Sequence, residues 1–389
     1  MKKKYIIFSL VTLVLLVALI TSFNYFKTTN TYIDDSVNNQ TKITKGISMN
    51  LEQTAGAGDY KTVTRSSWPT EGYKFNTELS RCENGGEINW DDINKKVIVT
   101  GNVSDKCYVY FDIWIPSIAA YCTSGTDLAT CVKNFGDQGP SVSNIYIHNS
   151  ALTNGAGDNS YRYAGANPNN YVCFGSEATT CPDANLFRII GVFGDQAKVI
   201  RAKSVGDQPW HTSQVNNWSS SSLNTYLNGE YLTSLGTLAE KIATTTWKVG
   251  GGDEANISFS VPATAYQYEV GSSASTTTVD KKIGLMYVSD YYYGASPSAW
   301  TLVGYNESDA TKSYIAATST NWLYLGSTEW TISRNSGYTY LAFLVNSAGY
   351  VYYSGYVPVS LAVRPSFNLL SSVKYISGSG SMSDPVRIN

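Results

Sequence analysis

From Tyr340 to Val345 the chain runs Tyr-Leu-Ala-Phe-Leu-Val almost without a polar break, then turns polar at Asn346-Ser-Ala-Gly349. A short apolar run closed by a turn is the pattern of a buried strand entering a hairpin. Around it, the block from Asn321 to Leu370 is dense in Trp, Tyr and Phe, and its only formal charges are Glu329, Arg334 and Arg364. Strand formers resume at Tyr350 to Tyr353 and again from Val359. Such a block must bury most of its apolar surface, so it anchors the second half of the chain to a sheet-bearing core.

The elements ahead of that block set the expected class. Leu186 to Phe193 and Ala197 to Ala202 flank Gly194-Asp195-Gln196, a hairpin signature. Ser219 to Ser222 offer N-caps for Leu223, Tyr226 and Leu227, which share a helical face, and Gly229 is a stop. Leu235, Leu238 and Ile242 repeat the helical spacing, and Lys282 to Val288 reads as a strand. Helices early and hairpins late predict an α+β domain over 185–389.

The first residues bear on placement. Lys2, Lys3 and Lys4 precede an apolar run from Tyr5 to Phe23. Its length approaches the roughly 20 residues that cross a hydrocarbon core and exceeds the ~7–15 of a signal-peptide core. The expectation is an uncleaved membrane anchor over 1–26, a single-pass signal-anchor with a cytoplasmic N-terminus and extracellular domains after it. A polar stalk follows over 27–45. Only 15% of residues are charged, against ~25% for soluble domains, and the net charge is −2. No basic stripe exists to hold nucleic acid.

The six cysteines, Cys82, Cys107, Cys122, Cys131, Cys173 and Cys181, allow fifteen pairings. Proximity favours Cys82–Cys107, Cys122–Cys131 and Cys173–Cys181. Zinc is a poor reading, because no C-x-x-C spacing occurs and the chain has only two histidines, His148 and His211. Residues 46–116 alternate in several short stretches, as in a small all-β, sandwich-like domain. Residues 117–184 read as an irregular, disulfide-pinned linker region. Asp158, Asn159, Asn167 and Asn169 could offer oxygens to calcium, but one carboxylate is few for such a site, and a hydrogen-bonded loop is the stronger reading.

Several motifs carry a resemblance. They are Trp218, Ser221, Leu223, Leu227 and Asn228 in one segment, Gly284 to Ser289, Trp322-Leu323, and Val363-Arg364-Pro365 closing on Asn368-Leu369. In this order the chain from Asn185 to Leu370 resembles a bacterial surface-protein domain family of unknown function, common in Gram-positive gut bacteria. The resemblance implies a C-type-lectin-like fold, shared with formylglycine-generating enzymes. Two departures stand out: Tyr324 to Ser327 replace the family's R-S-P, and Ala362 stands where it has Gly.

The chemistry points to binding rather than catalysis, with no cofactor and no metal. Formylglycine-type chemistry needs a thiolate, and no cysteine follows Cys181. A serine hydrolase lacks its motif, and His211 is the only histidine beyond residue 185. The carboxylates Asp253, Glu254, Asp290, Glu307 and Glu329 show no paired spacing for glycoside hydrolysis. Arg364 reads as a buried partner of Glu329 or Asp290, and Trp218 and Trp322 as core. Tyr291, Tyr292, Tyr293, Trp300, Trp330, Arg334, Tyr338 and Tyr340 lie in Ser/Gly/Asn-rich surroundings typical of adaptable binding surfaces. They are the expected ligand-binding residues, for a glycan or protein at the cell surface. The alternatives are a purely structural envelope component and a carboxylate-based hydrolase of envelope polymer.

Overall fold

The computed structural model describes residues 46–389 apart from 55–56, 64–67, 70–71, 92–95, 101–104 and 115. The chain divides into two compact units, Met1–Ile115 and Pro116–Asn389.

Among the described residues the first unit carries six strands: β1 (Ile47–Glu52), β2 (Tyr60–Val63), β3 (Tyr73–Cys82), β4 (Glu87–Asp91), β5 (Lys96–Thr100) and β6 (Cys107–Ile113). Four form a sheet in the order β2-β1-β6-β3, with β1 parallel to β6, and β4 pairs with β5. Cys107, Val109 and Phe111 alternate inward along β6, and Val109 and Phe111 pack with Met49, Leu51, Phe75 and Val97. The Cys82–Cys107 disulfide joins β3 to β6 at positions already paired in register.

The second unit builds on β7 (Ile145–Ile147), β8 (Tyr161–Tyr163), β9 (Tyr171–Cys173), β10 (Leu186–Phe193), β11 (Gln196–Arg201) and β12 (Asp207–Pro209). They are followed by β13 (Thr245–Lys248), β14 (Thr278–Lys281), β15 (Ile283–Gly284), β16 (Glu329–Arg334), β17 (Leu341–Val345) and β18 (Val351–Tyr356). The last four are β19 (Ser360–Ala362), β20 (Ser366–Asn368), β21 (Tyr375–Ser377) and β22 (Val386–Ile388). A nine-stranded sheet runs β15-β20-β11-β10-β9-β22-β21, with β8 and β7 continuing from β10. A bulge between Ile189 and Gly191 lets β10 pair with both β9 and β8. Gly191 is required there, because a Cβ would lie 2.3 Å from the Tyr161 carbonyl oxygen. A five-stranded sheet runs β12-β19-β16-β17-β18, so β18 is its edge.

Three expectations are revised. The α+β class with a C-type-lectin-like domain gives way to a mostly sheet protein, 34% strand against 22% helix. Ser221 does cap its helix through Oγ, and the helical backbone runs on past Gly229: an α-helix from Ser222 to Tyr226, a π-helical turn from Leu227 to Tyr231 and a last α turn from Leu232 to Ser234. Residues 117–184, expected as a linker region, supply β7, β8 and β9 to the large sheet and the nine-residue helix α1 (Leu128–Gly136). The anchor at 1–26 and the stalk at 27–45 lie outside the described residues. Among the described residues no helix is long and apolar enough to cross a membrane, so the single-pass placement finds no spanning element in the structure. The three disulfides are Cys82–Cys107, Cys122–Cys131 and Cys173–Cys181.

Candidate functional site

Most of the aromatics expected to bind ligand are core. Tyr291, Tyr292 and Tyr293 sit on α3 (Val288–Gly294; α2 is Pro262–Glu269), every residue of which is buried. Their phenols are satisfied internally: Tyr291 donates to the Gly349 carbonyl at 2.6 Å, Tyr292 to Ile257 at 2.8 Å and Tyr293 to Asn154 at 3.2 Å. Burial pushes the phenols of all three far up. Trp300 and Trp330 are likewise buried, their indoles donating to the carbonyls of Ala295 and Gln208. Arg334 is half-buried and donates to Gly250 O at 2.8 Å. Only Tyr338 and Tyr340 are exposed, each at 42%, and they meet edge to face at 6.1 Å beside Tyr356.

The residues expected as structural are fixed in the interior. Trp218 packs against Trp210 with ring centroids 5.1 Å apart. The Trp322 indole donates to Tyr163 O, and the ring lies under the Arg188 guanidinium at 4.5 Å. Arg364 grips Glu329 with two hydrogen bonds of 2.7 and 2.6 Å and also donates to Leu323 O, both side chains being almost wholly buried. The motif residue Asn228 bridges to both the N–H and the carbonyl of Ile283. These motif residues therefore hold the fold together.

Of the loop residues considered for calcium, the one carboxylate is engaged. Asp158 accepts from the Ser160 N–H and hydroxyl through Oδ1 and from Arg162 through Oδ2 at 2.6 Å. Burial opposes its charge, but the guanidinium and the Ser160 contacts prevail and hold its pKa at about 2. The one candidate metal cluster among the described residues joins Asp105 to Cys82 and Cys107, whose sulfurs are spent in a disulfide.

A second accessible aromatic face, larger and beside a groove, lies at the edge strand β18. Tyr352 and Tyr353 of β18 and Tyr350 just before it lie there, joined by Tyr305 and Phe259 from distant segments. Tyr305 stands 4.6 Å from Tyr350 and 5.9 Å from Tyr352, and Phe259 lies 5.3 Å from Tyr353. Phe259 is 42% exposed and the four tyrosines are half-buried. An open groove of 600 Å³ adjoins this cluster, lined by Phe259, Val303, Tyr305, Asn306, Glu307 and Ser308.

Local bonding fixes the groove wall. The Tyr305 N–H donates to Ser258 O, the Ser258 hydroxyl to Val351 O, and the Val351 N–H to Gly304 O. Gly304 passes so close to the buried Tyr292 that a Cβ would lie 1.8 Å from its hydroxyl oxygen. Asn306 Oδ1 accepts from the N–H groups of Ser308 and Asp309, which sets the turn behind Tyr305. Burial and then the nearby Glu307 carboxylate raise the Tyr305 phenol above its ordinary value. The face is thus a set of ring surfaces with hydroxyl tips on a backbone tied to the core.

Of the carboxylates considered for hydrolysis, Asp290 and Glu329 are spent in buried ion pairs and Asp253 caps a helix through Asn256 N. Glu307 alone among them lines the groove. Compared with family models, curated proteins and solved structures, the chain matches none.

Proposed function

We propose that the second unit is a non-catalytic binding module that takes a glycan chain along the Tyr305–Tyr350–Tyr352 face. The observation that supports it is the joining of five part-exposed rings from three separate segments beside an open groove. Contiguous exposed aromatic surface on a folded unit marks an interaction site. Sugar rings stack their C–H faces on flat aromatic faces, while tyrosine hydroxyls serve the ring substituents. Tyrosine has few rotors to freeze, so the face loses little entropy on binding. The groove suits recognition without turnover, since glycoside hydrolysis uses two flanking carboxylates and only Glu307 lines it.

The reading is tested on the full chain with a polysaccharide array, followed by titration calorimetry on each chain captured. Tyr305→Ala and Tyr352→Ala should each weaken binding by tenfold or more, about 1.4 kcal/mol. Tyr291→Phe, which alters only a buried hydroxyl, should leave affinity intact. Capture that survives both alanine changes, or release of shortened product, would overturn the proposal.

A further inference from the structure

A second concavity, of 240 Å³, lies between β8, β11, β13 and the start of α3. Two almost fully buried cations line it. Lys198 Nζ donates to Asp290 Oδ2 at 2.5 Å, and its other two N–H bonds have no acceptor among the described residues. Arg162 donates through Nε to Ser160 and through one terminal nitrogen to Asp158. Its other terminal nitrogen stands 3.6 Å from Asp290 Oδ1, beyond hydrogen-bond reach. Asp290 Oδ2 also accepts from the Tyr287 N–H, so that one oxygen serves two donors. Buried cations of this kind are stable only when their donors are met, and here donors remain.

The walls define the rest of the ligand. The Lys198 ammonium faces Tyr287 at 4.8 Å and Trp247 at 5.4 Å, and the Arg162 guanidinium faces Phe193 at 4.6 Å and Tyr266 at 5.3 Å. Lys248 also lines the cavity, with its Nζ donating to Gly271 O, and the buried Glu269 carboxylate acts on Lys198 from behind Ser289. Asn368 Oδ1 also lines it with no hydrogen-bond partner. The volume falls just under the roughly 300 Å³ at which drug-sized sites begin. The mouth passes Thr246, whose side chain is exposed.

We propose that this cavity binds a small monocarboxylate. Its carboxylate bridges Lys198 and Arg162 opposite Asp290, taking the N–H groups that Asp290 leaves. Its apolar or ring body lies among Phe193, Trp247 and Tyr287. One carboxylate meets the N–H groups left over on Lys198 and Arg162, and the size admits one ring. The site is separate from the tyrosine groove and does not depend on the glycan reading.

Calorimetry on the full chain with benzoate, glucuronate and the neutral benzyl alcohol tests this. Saturable binding of benzoate or glucuronate, at least tenfold tighter than benzyl alcohol, is expected. The tighter of the two acids identifies the source as an aromatic acid or an acidic sugar. Thr246→Trp, which plugs the mouth and leaves every buried charge in place, should weaken the acid tenfold or more at an unchanged melting temperature. Tyr305→Ala should leave it untouched. Equal affinity for benzoate and benzyl alcohol, full binding by Thr246→Trp, or no saturable binding of either acid would overturn the proposal.

Discussion

His148 gives the interior its clearest pH signature. Its ring is fully buried, 4.5 Å from Tyr293 and 5.2 Å from Trp300, and Nδ1 accepts from the Ala156 N–H at 3.1 Å. Burial first, then the Arg162 charge, pull its pKa from 6.5 down to about 2. Between those two values the unfolded chain takes up a proton that the folded chain refuses. Stability therefore falls as pH falls through this window, by about 1.4 kcal/mol for each pH unit well below 6.5. From pH 7.5 to pH 5 the loss from this one group is about 2 kcal/mol. Glu269 and Glu329, raised by burial, act in the opposite direction, so the effect must be isolated by difference. His148→Asn supplies an oxygen where Nδ1 accepts and cannot titrate. Urea unfolding of both proteins at pH 7.5, 6 and 5 measures it: the variant should lose about 2 kcal/mol less than the parent. Parallel pH profiles would refute the burial of a neutral His148.

Three further outcomes follow from the packing. Arg364→Met should cost about 3–5 kcal/mol by leaving Glu329 buried and uncompensated, and adding Glu329→Leu should recover part of it in the same unfolding assay. Gly191→Ala should cost about 1–3 kcal/mol, because the new methyl meets the Tyr161 carbonyl and forces β8 from β10. Cys173→Ser with Cys181→Ser should lower stability by about 2–3 kcal/mol, the loop entropy released when a cross-link at a sequence separation of 8 is lost, read as a fall in the urea midpoint.

Local pattern made part of this structure legible. The hairpin of β10 and β11 was visible because two apolar strands flank a glycine turn, and the cysteine pairs because neighbours in sequence had only short loops to close. The site was less visible. Tyr291 to Tyr293 have the composition of a binding loop, yet backbone carbonyls from three remote segments meet their hydroxyls and allow complete burial. Conversely, Tyr350, Tyr352 and Tyr353 look like ordinary sheet cover. Their exposure depends on β18 being an edge, a consequence of strand order that local pattern does not encode. Phe259 and Tyr305 join them only through tertiary folding. Lys198 and Arg162 carried no signal at all, since each sits in an unremarkable strand and gains meaning only where Asp290 meets both.

The glycan reading stands or falls on the tyrosine face itself. Protection of that face is measured directly by titrating the full chain with an array-captured polysaccharide while following the Tyr305, Tyr350 and Tyr352 ring resonances by NMR. The account predicts saturable shifts at these three rings, with the buried Tyr291 and Tyr292 rings unmoved. Shifts confined to Tyr338, Tyr340 and Tyr356, or binding with no perturbation of Tyr305, would contradict it.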